Sequence, residues 1–500
     1  MDLSDEHIDG HVDVVVVGAG LSGIGAAYRL RTECPDRTFT VLEARDAMGG
    51  TWDLFRYPGV RSDSDMFTLG YQFKPWTAEK SIADAETILG YIHETAAEFD
   101  LEQHVRYRTK VVGADWSTRD ARWTLSLETP DGPRTMTCGF LYSCAGYFDY
   151  DHGYTTEFPG LEDFEGEVVH PQFWPEDLSY DGQRVVVVGS GATAVTLVPA
   201  MAERAAHVTM LQRSPTWIGA LPGRDKVADT LRSALPAPIA HRIIRSKNIL
   251  FMLGFYQYCR RFPDRARRLL LGLTTRQLRD AELVAEHFTP TYDPWDQRFC
   301  AVPDADLFRT IRHGDAEVVT DHVESFVPEG IRLRSGRVLE ADLVVTATGL
   351  QLLPFGGIAP SVDGETVDLH EQFVWQGAML TGIPNFAVCL GYTNASWTLR
   401  ADLTHRLVCR VLNHLSRHDL AAAVPAPRGA LGERPLLDLS SGYIQRSIDE
   451  FPRQGNRVPW RVRQNYLIDS VTTLHHRLGS SMDFVPRSAV RRGADDSVPA

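Results

Sequence analysis

Two short apolar runs, each closing on a cluster of glycines, are the most regular pattern in the chain. The first, Val12-Asp13-Val14-Val15-Val16-Val17, is β-branched and too short for a helix, the wording of a strand buried in a parallel sheet. It leads into Gly18-Ala19-Gly20-Leu21-Ser22-Gly23, an alanine-rich segment predicted as helix, and a further strand Phe39-Thr40-Val41-Leu42-Glu43. Much later, Arg184-Val185-Val186-Val187-Val188 leads into Gly189-Ser190-Gly191-Ala192-Thr193-Ala194, a second helix and the strand Val208-Thr209-Met210-Leu211-Gln212-Arg213. Each unit reads as strand, helix, parallel strand. Each also closes on a late strand of similar wording, Leu141-Tyr142-Ser143-Cys144-Ala145-Gly146 and Leu343-Val344-Val345-Thr346-Ala347-Thr348-Gly349.

This repetition predicts an α/β protein of two nested Rossmann-like dinucleotide-binding domains. The stretch 219–292, rich in Leu, Ala and Arg at helical spacing, predicts a helical insertion in the second. The chain then returns near Pro384-Asn385-Phe386 to complete the first module. The expected division is 1–150 with 380–485, 151–218 with 293–379, the insertion 219–292, and a polar, frayed tail over 486–500.

The glycines of such loops do separable work. The first permits a tight turn, the second lets backbone approach a pyrophosphate, and the third lets helix and strand pack closely. Gly18, Gly20 and Gly23 meet that pattern, with Ser22 beside them, and Glu43 stands where a carboxylate accepts hydrogen bonds from a ribose diol. In the second loop Gly189 and Gly191 are kept, Ala192 and Thr193 follow, and Ala194 replaces the third glycine. Its strand ends on Gln212-Arg213 instead of an acid. A guanidinium grips a 2′-phosphate that a carboxylate would repel, so NADPH is expected at this loop in preference to NADH. Two different dinucleotides in one chain point to a two-loop flavoprotein, with FAD at the first loop.

Composition narrows the field further. A net charge of −14 argues against nucleic acid and against a general attraction to anionic membranes. The seven cysteines include no pair spaced as a redox motif or zinc knuckle, so no metal is expected and a reducing, cytoplasmic location fits. Disulfide-reducing two-loop flavoproteins need such a pair, which leaves the oxygenating branch. The acidic opening MDLSDEHIDGH does not read as a signal peptide, and no apolar run reaches membrane-spanning length.

Between the modules, Phe164, Gly166, His170 and Trp174-Pro175 are spaced F-x-G-x-x-x-H-x-x-x-W-P. That spacing resembles the fingerprint of the type I Baeyer–Villiger flavin monooxygenases. The segments Gly49-Gly50-Thr51-Trp52, Arg56-Tyr57-Pro58-Gly59 and Gly391-Tyr392-Thr393-Asn394-Ala395-Ser396-Trp397 extend the resemblance over nearly the whole chain, nearest the ethionamide-activating subgroup. The resemblance implies cofactor contacts from Thr51, Trp52, Asp53, Arg61, Asp63 and Val111. It also implies a flavin peroxide that attacks a ketone, giving an ester, or the sulfur of a sulfide or thioamide. The partners would then be O2 and a small molecule of that kind. Arg298, oriented by Asp63, is implied as the cation beside the reacting oxygen. Many relatives read Lys-Arg where this chain has Gln297-Arg298, so an alternative register makes Arg298 the phosphate residue.

Other functions stay open from sequence. An N- or S-oxygenase without ketone chemistry, or a flavin redox protein without oxygenation, would share both loops. Asn394 and Trp397, with Trp460 and Tyr466, are candidates for the substrate region, although core packing explains large aromatics equally well. The run Ile249-Leu250-Phe251-Met252-Leu253, followed by Arg260-Arg261, Arg265 and Arg267-Arg268, reads either as weak peripheral membrane contact or as a helix packed on the protein with snorkelling arginines. Oligomeric state is not encoded in any of these patterns.

Overall fold

A computed structural model describes residues 10–490, so the start of the acidic leader and the end of the expected tail lie outside the described residues. The first apolar run forms the strand His11–Val17, which lies parallel to Phe39–Leu42 on one side and to Gly132–Ser143 on the other. Between them the helix Leu21–Glu33 buries Leu21, Ile24, Ala27 and Leu30 together with its small residues, and ends before Pro35. Small side chains let this helix lie close on the sheet, and the long helix Trp397–Arg417 packs against it. The strand Gly132–Ser143 is shared. Its second neighbours are the antiparallel strand Arg122–Thr129, which continues to Lys110–Ser117, and the late parallel strand Phe386–Val388.

The second apolar run forms Arg184–Val188, the middle of a five-stranded parallel sheet. Its order is Ala316–Thr320, His207–Gln212, Arg184–Val188, Leu343–Thr346 and Glu167–Val169. The helix Ala192–Met201 crosses this sheet with Ala194, Val195, Leu197 and Val198 buried. Two crossing segments, Phe148–Gly153 and Leu350–Leu352, pair antiparallel as the chain passes between modules.

Three expected boundaries move. Ala359–Val362 pairs with Lys110–Ser117, and Val374–Trp375 and Met379–Leu380 also join the first sheet, so the return to the first module begins before residue 380. The reason is register: these short strands extend a sheet edge that the local sequence does not reveal. The stretch 219–292 is not wholly helical, because Ile218–Leu221 pairs with Cys300–Pro303, and the helices run from Lys226 to His287. Finally, Pro486, expected to open the tail, instead ends the strand Met482–Pro486, which pairs with Leu420–Pro425. All seven cysteines are free and buried. Among the described residues no helix is long and apolar enough to cross a membrane.

Candidate functional site

A cavity of about 1290 Å³ is lined by both glycine loops. That exceeds the roughly 300–1,000 Å³ of an ordinary small-molecule pocket. Gly18, Gly20, Leu21, Ser22 and Glu43 face it from the first module, and Gly189, Ser190, Gly191, Ala192, Thr193 and Arg213 from the second. Gly18 turns with φ of +96°, and a Cβ on Gly23 would lie 1.8 Å from the Gly18 carbonyl oxygen. Gly23 is therefore a packing residue and stays out of the cavity, as does buried Ala194 in the second loop.

The two helix starts share an electrostatic feature. Neither the helix Leu21–Glu33 nor Ala192–Met201 has a side-chain cap or an acidic residue in its first turn. The helices starting after Asp65, Asp84, Asp225, Asp280 and Asn465 are all capped by those side chains. Both loop helices thus point uncompensated backbone N–H groups and the positive end of a helix dipole at the cavity, an arrangement that suits phosphate.

Glu43 is 6% exposed. Its carboxylate accepts from the backbone N–H groups of Ala19 at 2.7 Å and Arg45 at 2.9 Å, and burial holds its pKa above the ordinary carboxylate value. Thr51, Trp52, Arg61, Asp63 and Val111 all line the cavity, and the Thr51 hydroxyl lies 3.1 Å from that of Tyr150. Asp53 does not. Its buried carboxylate is drawn into ion pairs with Arg45 at 2.7 Å and Arg56 at 2.8 Å, which turns it from the cavity.

At the second loop Arg213 is exposed along the cavity wall and pairs with no carboxylate among the described residues. Gln212, expected beside it as a cofactor contact, is 1% exposed, and its amide donates to the His287 carbonyl and the Thr320 hydroxyl. A strand alternates its side chains, so neighbouring residues cannot both face the ligand. Arg334 lines the cavity and was not expected from the sequence. Its backbone N–H donates to the His322 carbonyl, next to Asp321, whose N–H bonds the Gln212 carbonyl. A basic residue three strands away carries no sequence signal for this position.

Asp63 and Arg298 meet at the cavity wall. Nε and Nη2 of Arg298 both donate to Asp63 Oδ2, at 3.1 and 2.8 Å. Both residues and Gln297 face the cavity. Arg298 keeps 39% of its side-chain surface because the cavity itself is open. Asp63, above all, holds the guanidinium pKa well above its ordinary value. Tyr147 and Tyr443 stand against the same guanidinium, and burial pushes both hydroxyls above the usual tyrosine value. Tyr147 directly follows the late strand ending Ala145-Gly146, a signal that could have found it; Tyr443 had none. Nearby Arg61 is held by Asp306 at 2.5 Å.

The fingerprint residues lie outside the cavity. Phe164 packs edge-on against Phe326, with ring centroids 5.7 Å apart, and Trp174 against Tyr180. Gly166 leaves room for the Phe164 ring, which a Cβ would approach to 2.4 Å. His170 accepts from the Gln172 N–H and sits on Gly153, where a Cβ would come within 2.7 Å of the ring. Gln172 in turn donates to the carbonyls of Asp149 and Tyr150. The fingerprint therefore secures the crossing between modules and touches the cavity lining from behind, at Asp149 and Tyr150 through Gln172 and at Tyr154 and Gly349 through His170.

Trp397 lines the cavity, donates from Nε1 to Ser22 Oγ at 2.7 Å and packs on Tyr147. Asn394 does not reach it. This residue is 6% exposed, donates to the Gln464 carbonyl and lines a separate small cavity with Tyr256 and Tyr466. Trp460 is buried in the core of the first module. Although no two cysteines are close in sequence, Cys144 and Cys389 follow paired positions of adjacent parallel strands. With His405 their ligand atoms lie within 4.8 Å of one another.

Residues 77–224 match the flavin-binding monooxygenase-like family, and residues 16–75 the NAD(P)-binding Rossmann-like domain. The chain is 52% identical over 461 residues to the FAD-containing monooxygenase EthA of Mycobacterium tuberculosis, covering 92% of this chain and 94% of that one. It is 44% identical over 463 residues to the probable FAD-binding monooxygenase AlmA of Acinetobacter baylyi, at 92% and 93% coverage. In fold it is similar to an oxidized steroid monooxygenase bound to NADP, with a TM-score of 0.75 at 22% identity, covering 95% of this chain and 99% of that one. An open cyclohexanone monooxygenase gives 0.70 at 21% identity, with 84% and 90% covered. Identity near one half across almost the full length carries the fold, both loops and the family together: the chain belongs to the FAD-containing monooxygenases.

Proposed function

We propose that this enzyme uses NADPH and O2 to oxidise ketones to esters and to oxygenate sulfur in sulfides and thioamides. The observation that carries the reading is one cavity joining two phosphate-suited helix starts to a fixed cation, Arg298. Related folds support it: one is a steroid monooxygenase bound to NADP, another a cyclohexanone monooxygenase bound to ε-caprolactone.

FAD is held by the Gly18–Ser22 backbone, Glu43, Thr51, Trp52 and Val111. NADPH is held by the second loop from Gly189 to Thr193, with Arg213 and Arg334 on its 2′-phosphate. Bound and reduced, the flavin supplies the activation of O2 that no side chain can perform. The protein's part is electrostatic. Arg298 remains charged at every working pH, and Asp63 fixes its direction before substrate arrives. A preorganised cation of this kind stabilises negative charge as it develops on the substrate oxygen, without reorganising. Tyr147 and Tyr443, kept neutral by burial, turn their hydroxyl oxygens to the same guanidinium, which donates to them, and Trp397 lines the cavity wall.

The test is NADPH consumption by the FAD-loaded enzyme with a panel of ketones and sulfides, scored for ester or sulfoxide against released hydrogen peroxide. Product formed in step with NADPH supports the reading. Peroxide as the sole product with every substrate overturns it.

A further inference from the structure

The chain as a whole is acidic, but one part of its surface is not. Between residues 237 and 279 there are ten basic residues and a single acid, Asp264. They lie on the helices Ala237–Arg261 and Pro263–Leu278, which pack on one another. Four of the ten have partners: Arg245 donates to the Phe67 and Gly70 carbonyls, and Lys247, Arg260 and Arg267 pair with Asp225, Asp296 and Asp293. The other six, Arg242, Arg261, Arg265, Arg268, Arg276 and Arg279, are exposed and pair with no carboxylate among the described residues.

The same helices expose large apolar side chains. Ile239, Ile243, Leu250 and Phe251 on the first, and Phe262, Leu269 and Leu273 on or beside the second, are between 42% and 63% exposed. Positions 239, 243 and 250 share one side of the first helix with Arg261, and positions 262, 265, 269 and 276 share one side of the second. Apolar side chains and unpaired guanidinium groups therefore stand on common faces. Water rewards neither the apolar surface nor the concentration of like charge.

We propose that this two-helix face docks on an anionic lipid bilayer. Its apolar side chains enter the boundary between headgroups and acyl chains, and its arginines bind the phosphates above them. The acidic remainder of the molecule is repelled by the same surface, which orients the docked enzyme. Docking also has a consequence for the site. The inner side of the helix Ala237–Arg261 places Ile249, Met252, Leu253 and Tyr256 around the small cavity that holds Asn394. Tyr392 and Ala395 line both this cavity and the large one. An apolar substrate dissolved in the bilayer would then lie one helix from the large cavity.

The experiment is flotation of the FAD-loaded enzyme with vesicles of equal parts phosphatidylglycerol and phosphatidylcholine, with pure phosphatidylcholine vesicles as comparison. The enzyme is expected to float with the anionic vesicles at low salt and to be released by high salt. Each of Arg261→Ser, Arg265→Ser and Arg268→Ser should weaken binding about fivefold. The double variant Leu250→Glu, Phe251→Glu should stay behind while keeping its flavin and its turnover of a water-soluble ketone. Failure of wild type to float at low salt overturns the proposal, as does a double variant that floats unchanged. A dimer that dissociates in the double variant, with no vesicle binding by wild type, overturns it in favour of a second copy of this chain.

Discussion

Arg298 directs two N–H groups at one oxygen of Asp63, and the two residues are 235 positions apart in sequence. The segment that carries Asp63 and the segment after the helical insertion are thus locked together at the cavity wall. A cation held in this way costs no reorganisation when charge develops beside it. Replacing Asp63 with Asn leaves a neutral acceptor of the same size and frees the guanidinium to swing. Product formation is expected to fall about 100-fold, the scale of a catalytic group displaced by an ångström. Flavin content should be unchanged. Single-turnover product yield checks this, and a yield equal to wild type would mean that Asp63 does not orient Arg298.

Arg213 is expected to read the 2′-phosphate. A charge-assisted pair to phosphate contributes about 1.5–3 kcal/mol. Arg213→Ala should therefore raise KM for NADPH about 10–100-fold and leave KM for NADH nearly unchanged. Steady-state kinetics with both coenzymes decide it, and equal effects on the two would place the phosphate elsewhere.

The phosphate-facing glycine of one loop can be separated from the packing glycine of the other. A Cβ on Gly191 meets nothing within 4 Å, so Gly191→Ala should fold and melt as wild type does. Its methyl group would occupy space reserved for phosphate, and NADPH affinity should fall at least tenfold. Gly23→Ala drives a Cβ to 1.8 Å from the Gly18 carbonyl, so that variant should emerge without FAD. Melting temperature and flavin absorbance separate the two. Unchanged NADPH binding by Gly191→Ala would contradict the phosphate site.

Much of this was legible in the sequence because the code is local. A β-branched run, a glycine turn and a small-residue helix form from their neighbours alone, so both loops were found. The residues that failed did so through side-chain partners that no motif encodes. Asp53 is diverted by Arg45 and Arg56, Gln212 by His287 and Thr320, and Asn394 by Gln464. The fingerprint named the family while Phe164, His170 and Trp174 serve the crossing between modules. Tyr443 and Arg334 reach the cavity only after the second module returns past its insertion, and no spacing rule encodes that path.

His405 gives a pH signature for folding. It is 3% exposed, bonded through Nδ1 to the Tyr142 hydroxyl at 2.7 Å, and burial pushes its pKa down to about 3. The folded state keeps it neutral, while the unfolded chain takes up a proton below the ordinary value near 6.5. Its contribution to stability is complete above that value and is lost as pH falls toward the folded pKa, at about 1.4 kcal/mol per pH unit. In His405→Gln the fall in urea stability between about pH 6 and pH 4 should be shallower by that slope. Parallel slopes for the two proteins would show that this ring is not neutral in the fold.

The most direct measurement is the coupling of NADPH oxidation to product in wild type and Arg298→Ala, both loaded with FAD and given a ketone or sulfide that wild type accepts. Wild type should yield nearly one product per NADPH. Arg298→Ala should keep its flavin and still oxidise NADPH, but release the oxygen as hydrogen peroxide with little ester or sulfoxide. An Arg298→Ala enzyme that stays fully coupled and loses only its affinity for NADPH would contradict the catalytic role and give Arg298 to the coenzyme phosphate.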